Sequence, residues 1–288
     1  MLAVLFAALA GCLFGALAVA VRQGLHRNPD ANAGALVIAG GAAIVSIVPA
    51  AFDAGQMHVG DLWPFALSGL LVPGVSQLLF VLSVRDIGPS RASMLIGTAP
   101  LMSVLVALVL LGEPFRPELL GGTMLVVAGG AALARERVRP EHFRAFGIVL
   151  GLICAVMFAV RDNLVRWGAR DTHPPPLLAA TTSLLAAGAL LLVFLLVRDR
   201  KALGTRLRRA VPAFAPAAIL LAVSYDLLFE AFDRGRVSIV APLNATQSLW
   251  AVVFAALVVG AASEAIGRRL VVAGLLIVGG GALIGVVR

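Results

Sequence analysis

Ionisable and amide side chains are scarce in the apolar stretches of this chain, so the few that fall there are where chemistry is sought first. Asp226 lies in the stretch 211–232, and Glu230 follows it one helical turn later on the same face. Arg161 and Asp162 sit in 145–165, Gln77 in 62–84, and Asn244, Gln247 and Trp250 in 237–259. Tyr225 is the only tyrosine. A charged group at the centre of a membrane span costs about 2.5–3.5 kcal/mol or more, so such groups line a cavity or pair with one another. Asp226, with Arg161 or Asp162 near it, could hold a charged or zwitterionic solute, and Asp226 and Glu230 are the candidates for carrying a coupling proton. The alternative is an Arg161–Asp226 pair that only joins two helices, with Glu230 bonded to Arg234. Asn244 and Gln247, three residues apart, both donate and accept, which suits a solute site or an interhelical bond. Tyr225 and Trp250 offer rings for stacking on a solute or for packing.

The elements that must position these groups follow from composition. Of 288 residues 60% are hydrophobic and 13% charged, with a mean hydropathy of +1.00, far more apolar than a soluble domain. The apolar residues form stretches near 2–21, 33–51, 62–84, 91–111, 119–134, 145–165, 177–197, 211–232, 237–259 and 267–287. A helix rising ~1.5 Å per residue needs about 20 apolar residues to cross the hydrocarbon, and in lipid a single segment must satisfy its own backbone. The expected fold is therefore all-α and integral to the membrane, with ten transmembrane helices. Ala18-Val19-Ala20 imitates a cleavage site, but no basic region precedes it, and the first stretch is taken as a span. Breaks at Asn28-Pro29-Asp30, Asp86-Ile87-Gly88-Pro89, Gly112-Glu113-Pro114 and His173-Pro174-Pro175-Pro176 carry helix-end chemistry. The long hydrophilic stretches are 135–144 and 198–210.

Internal repetition organises the chain. Val21-Arg22-Gln23-Gly24 matches Val165-Arg166-Trp167-Gly168, which lays Phe14 on Phe158, and Asp86-Ile87-Gly88 matches Asp233-Arg234-Gly235. Glu113 with Val126-Val127-Ala128-Gly129-Gly130-Ala131 matches Glu264 with Ile277-Val278-Gly279-Gly280-Gly281-Ala282. Residues 1–134 and 145–288 are then two copies of five spans joined by the basic linker 135–144, and because five is odd the second copy lies inverted. Inverted repeats of this kind place a solute site near the midplane, where the halves meet.

Ala99-Pro100-Leu101, Leu110-Leu111-Gly112-Glu113, Leu120-Gly121-Gly122 and Val127-Ala128-Gly129-Gly130 resemble the drug/metabolite transporter superfamily, specifically its EamA-type ten-helix members. The resemblance runs over the whole chain, twice, and rests on small and apolar residues, so it speaks to fold and not to substrate. The second half departs from it: Ala261-Ala262-Ser263-Glu264 replaces the Leu-Gly-Glu ending, and Gln247 lies near where Pro100 would map. The resemblance implies a carrier that alternates access, commonly an exporter of amino acids, metabolites or drugs. A lipid-carrier flippase is the nearer rival; an intramembrane enzyme using Asp162, Asp226 and Glu230 is the rival from another class, without metal spacing or a nucleophile motif behind it.

Pro73, Pro100 and Pro242 interrupt spans three, four and nine and are hinge candidates. Gly11-x3-Gly15, Gly147-x3-Gly151 and Gly281-x3-Gly285 suit close helix contact, within one bundle or in a homodimer. Cys12 and Cys154, inside spans, are packing residues. No cofactor or metal is called for, and with no Walker-type loop no ATP partner is expected; the expected partners are a small solute and the bilayer. The net charge of +8 comes from arginines in short loops and not from a stripe that would read as nucleic-acid binding. Of 23 basic residues, 16 lie in the odd-numbered loops, which by the positive-inside rule puts both termini outside a cell (inner) membrane. The resemblance includes relatives with both termini in the cytoplasm.

Overall fold

The computed structural model describes residues 2–52, 59–99, 101–102, 119–134, 143–172, 174–235, 240, 243–260 and 267–287, and among these every regular element is helical. In chain order the helices are α1 (Leu2–Arg27), α2 (Ala31–Ala50), α3 (Trp63–Gly69), α4 (Ser76–Ile87), α5 (Pro89–Ile96), α6 (Leu119–Ala134), α7 (Phe146–Thr172), α8 (Pro176–Asp199), α9 (Leu203–Arg234), α10 (Gln247–Ala255) and α11 (Arg268–Val287). Wider turns at Leu70–Val75 and Ala256–Gly260 join α3 to α4 and extend α10. Among the described residues, five helical segments are long and apolar enough to cross a membrane: α1, α2, the joined α3–α4, α8 and α9. Shorter apolar helices, Phe146–Arg161 and Leu243–Val258, accompany them.

Helix ends fall where turn chemistry put them. Asp30 caps α2, its Oδ1 accepting from the Ala33 N–H at 3.1 Å, so one of the orphan donors of the first turn is satisfied. Gly88 takes φ 84°, a conformation a Cβ would oppose, and Pro89 then opens α5 with a ring already set for helix. Pro176 opens α8 in the same way. The stretch 198–210 departs from expectation. Only 200–202 form a turn, and α9 starts at Leu203, so Arg206, Arg208 and Arg209 are helical. Arginine is a good helix former, and Arg206 gains partners in that position: its Nε and Nη2 reach the two Asp30 oxygens at 2.7 and 2.8 Å, with Asp199 at 3.4 Å.

Packing runs mainly between the halves. The first helix of each half lies on the third span of the other, α1 on α9 and α7 on α4, and α2 on α9 answers α8 on α3 and its following turn. Likewise α1 meets α10, α7 meets α5, and α6 meets α11. Contacts along α1 and α9 fix their relative direction. Phe14 meets Tyr225, ring centroids 6.1 Å apart, whereas Gly24, later in α1, abuts Phe214, earlier in α9. The two helices are antiparallel. Had the halves run the same way through the membrane, the first span of one and the third span of the other would be parallel, so the second half is inverted.

Glycines make this closeness possible. A Cβ on Gly15 would stand 2.5 Å from the Trp250 Cβ and 2.8 Å from the Ala251 nitrogen, so α1 and α10 approach backbone to backbone only because that position has no side chain. The Gly11 and Gly147 faces also turn inward, towards Leu243 and towards Asp86 and Ile87. These glycine faces therefore serve contacts within the chain.

Candidate functional site

The joined third span is broken in its middle. Val72 has φ −136° and ψ 113°, the extended conformation that a following proline favours, and Pro73 removes one donor from the helical ladder. An unwound turn at membrane depth is tolerated where it lines a cavity. Here it does: Val72, Pro73, Ser76, Gln77 and Phe80 form one wall of a small cavity. Phe14 and Leu17 of α1, Leu221 and Tyr225 of α9, Phe158 of α7, Ile96 of α5 and Gln247 of α10 complete it. Phe14 and Phe158 are the residues the internal repeat superposes, and each stands near the middle of its helix, so the cavity sits at mid-depth between the two halves.

Polar groups are few and placed. Gln77 is 4% exposed, and its Nε2 has no hydrogen-bond partner among the described residues. A buried amide donor left so is costly unless a ligand or water takes the bond. Gln247, also buried, faces the cavity from the opposite half. Arg161 lies behind the aromatic wall, 3% exposed, its Nη1 donating to the Tyr225 hydroxyl at 3.1 Å. Its guanidinium is 5.1 Å from the Phe158 ring centroid and 5.7 Å from that of Tyr225, within cation–π range of two rings that line the cavity. Tyr225 is held in turn by stacking on Phe229 at 5.7 Å.

The residues singled out from the sequence thus divide. Gln77, Tyr225 and Gln247 line one cavity, with Arg161 touching its wall, and Pro73 forms part of the break. Asp226 faces elsewhere: its Oδ2 accepts from Ser46 Oγ on α2 at 3.1 Å, and the pairing with Arg161 considered above does not form, because Arg161 is directed to Tyr225. Glu230 makes the ion pair with Arg234 considered above. Trp250 is 39% exposed and stacks on Phe254, away from the cavity lining, and Asn244 is half-buried and outside it. The side chain of Asp162 and residues Pro100, Pro242, Glu113 and Glu264 lie outside the described residues. Sequence reasoning missed Phe80, Leu17, Ile96 and Leu221 as lining, and Ser46 and Thr181 altogether. Phe14 and Phe158 could have been found, since their match across the repeat put one aromatic ring from each half at the same depth.

A polytopic helical membrane protein whose two oppositely directed halves meet around a mid-depth cavity, beside a broken helix, has the construction of a carrier. The chain belongs to the EamA-like transporter family, which matches residues 1–134 and again residues 145–286. It is accordingly a multi-pass membrane transporter of the drug/metabolite type, in contact with lipid and a small solute. A solved structure titled "Crystal structure of protein" aligns over 99% of this chain and 97% of its own with a TM-score of 0.61 at 24% identity, a likeness of fold. No curated protein matches the chain.

Proposed function

We propose that this protein is a secondary carrier of ten spans, arranged as two five-helix repeats over 1–134 and 145–288 with 135–144 as linker. In this reading it exports a small metabolite, amino acid or drug-like solute across the inner membrane by alternating access. The observation that carries this is the cavity at the junction of the halves, with the unpartnered Gln77 amide in its wall and a helix break at Val72–Pro73 beside it. The solute is held between the aromatic rings by hydrogen bonds from Gln77 and Gln247, and Arg161, through Tyr225, sets a positive field at the wall. Pro73 is the hinge about which the third span bends as the cavity changes the side it faces. The arginine-rich odd-numbered loops support both termini outside.

Purified protein in liposomes, loaded with a panel of amino acids and metabolites, tests the reading by efflux and counterflow with and without a pH gradient. Saturable movement of at least one solute, reduced by Gln77→Ala, is expected. Chemical turnover of a substrate without translocation would overturn it.

A further inference from the structure

Tyr225 and Asp226 are neighbours in the chain, and a helix turns about 100° between neighbours, so the two side chains serve different faces of α9. Tyr225 lines the cavity, while Asp226 projects to α2, where Ser46 Oγ donates to its Oδ2 at 3.1 Å. The Ser46 carbonyl is itself engaged by the Thr181 hydroxyl of α8 at 3.0 Å, so a carboxylate, two hydroxyls and a carbonyl from three helices meet in one place. Both Ser46 and Thr181 are buried. The second carboxylate oxygen of Asp226, Oδ1, is buried and has no partner among the described residues.

Among the described residues charge is unbalanced here. Helix α2 carries no charged residue along Ala31–Ala50, and the charges of α8, Arg198 and Asp199, lie at its other end, about 26 Å along the helix from Thr181. Those of α1, Arg22, His26 and Arg27, lie beyond Phe14, which is level with Tyr225, towards the opposite side. Arg161 of α7 bonds the Tyr225 hydroxyl, and on α9 itself Arg234 is taken by Glu230, whose own charge adds to that of Asp226. A carboxylate in hydrocarbon is unfavourable, and a carboxylate joined by hydrogen bonds to a run of hydroxyl and carbonyl oxygens favours a small hard cation. One carboxylate balances one positive charge.

We propose that Asp226, Ser46 and Thr181 form the binding site of a monovalent coupling cation, a proton or a sodium ion, on a face of α9 separate from the one that lines the solute cavity. This rests on the carrier reading above and adds what drives it. Ser46 belongs to the first half and Thr181 and Asp226 to the second, so loading the site fastens α2 to α8 and α9, and α9 carries the state of the site to Tyr225 in the cavity wall.

The site is tested by binding, independently of transport. The thermal unfolding midpoint of the purified protein in detergent is followed as sodium replaces N-methylglucamine at fixed pH and ionic strength, and as pH falls without sodium, in the wild type and in Asp226→Asn. A midpoint that rises with sodium or on acidification, by an amount lost in Asp226→Asn, is the expected result. Sodium is the cation if Ser46→Ala and Thr181→Val each raise the half-saturating sodium concentration about tenfold or more, as loss of a liganding hydroxyl would. The proton is the cation if sodium has no effect and the pH response needs Asp226 but survives Thr181→Val. An Asp226→Asn protein that keeps the wild-type responses overturns the proposal, as does an unchanged Ser46→Ala protein should Asp226→Asn fail to purify. Solute counterflow, which needs no gradient, separates this site from the cavity: Asp226→Asn retains counterflow and loses gradient-driven accumulation. Loss of both would make Asp226 part of the solute site and refute a separate one. Absence of counterflow in the wild type would refute the carrier reading, with the midpoint response still deciding whether the cation site exists.

Discussion

Replacing Tyr225 by Phe removes one oxygen from the centre of the protein and little else. The ring keeps its stacking on Phe229 at 5.7 Å and its edge contact with Phe14 at 6.1 Å, so packing is preserved. What is lost includes the acceptor of the 3.1 Å bond from Arg161, a cation only 3% exposed. A hydrogen bond to a buried charge is worth about 1.5–3 kcal/mol, or roughly ten- to a hundredfold in an equilibrium constant. Equilibrium unfolding in mixed micelles should show Tyr225→Phe less stable by that amount. In a double-mutant cycle with Arg161→Met the coupling should be of the same size, because that substitution has already removed the donor whose bond Tyr225→Phe breaks. Solute affinity should fall with it, since the guanidinium is no longer tied to the cavity wall. A Tyr225→Phe protein within about 0.5 kcal/mol of wild type, or a coupling near zero, would show that Tyr225 does not position Arg161 and would remove Arg161 from the site.

Three further outcomes are expected. Asp30 both caps α2 and binds Arg206, so Asp30→Asn, which keeps the cap, should cost about 0.5–1 kcal/mol in thermal unfolding, whereas Asp30→Ala should cost about 1.5–2 kcal/mol. The Arg206 hydrogen bonds hold the Asp30 carboxyl below its ordinary pKa, so the wild-type advantage over Asp30→Asn is complete above the ordinary carboxylate range and disappears as pH falls through and below it, which a pH series of midpoints reads. Gly15→Ala forces a Cβ to 2.5 Å from the Trp250 Cβ and should destabilise by about 1–3 kcal/mol, while Gly279→Ala, with nothing within 4 Å, should be neutral by the same measurement. Gln77→Leu fills the wall without a donor; solute KM in liposomes should rise about tenfold with the unfolding midpoint unchanged or raised.

Hydropathy shows which residues lie in the membrane and roughly how deep, and helical spans, the repeat and most helix ends were legible on that basis. It does not show which way a side chain points around its helix. Arg161 and Asp226 share a depth and were natural partners in one dimension, yet they face different neighbours because Tyr225, one residue away, intercepts Arg161. Ser46 and Thr181 gave no signal, since a hydroxyl can bond its own helix anywhere in a span. Phe80 was hidden for a related reason: a ring that lines a binding site and a ring that faces lipid have the same hydropathy. The arginines at 206–209 misled in the opposite sense, their charge suggesting a loop where partners at Asp30 and Asp199 sustain a helix.

The antiparallel pairing of α1 with α9 bears on how the protein is made. Phe14 emerges from the ribosome 211 residues before the Tyr225 it rests against, and at about 5–20 residues per second that interval is roughly 10–40 s. During that time the helices of the first half enter the bilayer as they are made, with their glycine faces covered by lipid or by the insertion machinery, because the helices meant to cover them have not been synthesised. Neither half can complete its own interior, and the chain commits to its final arrangement only near the end of translation.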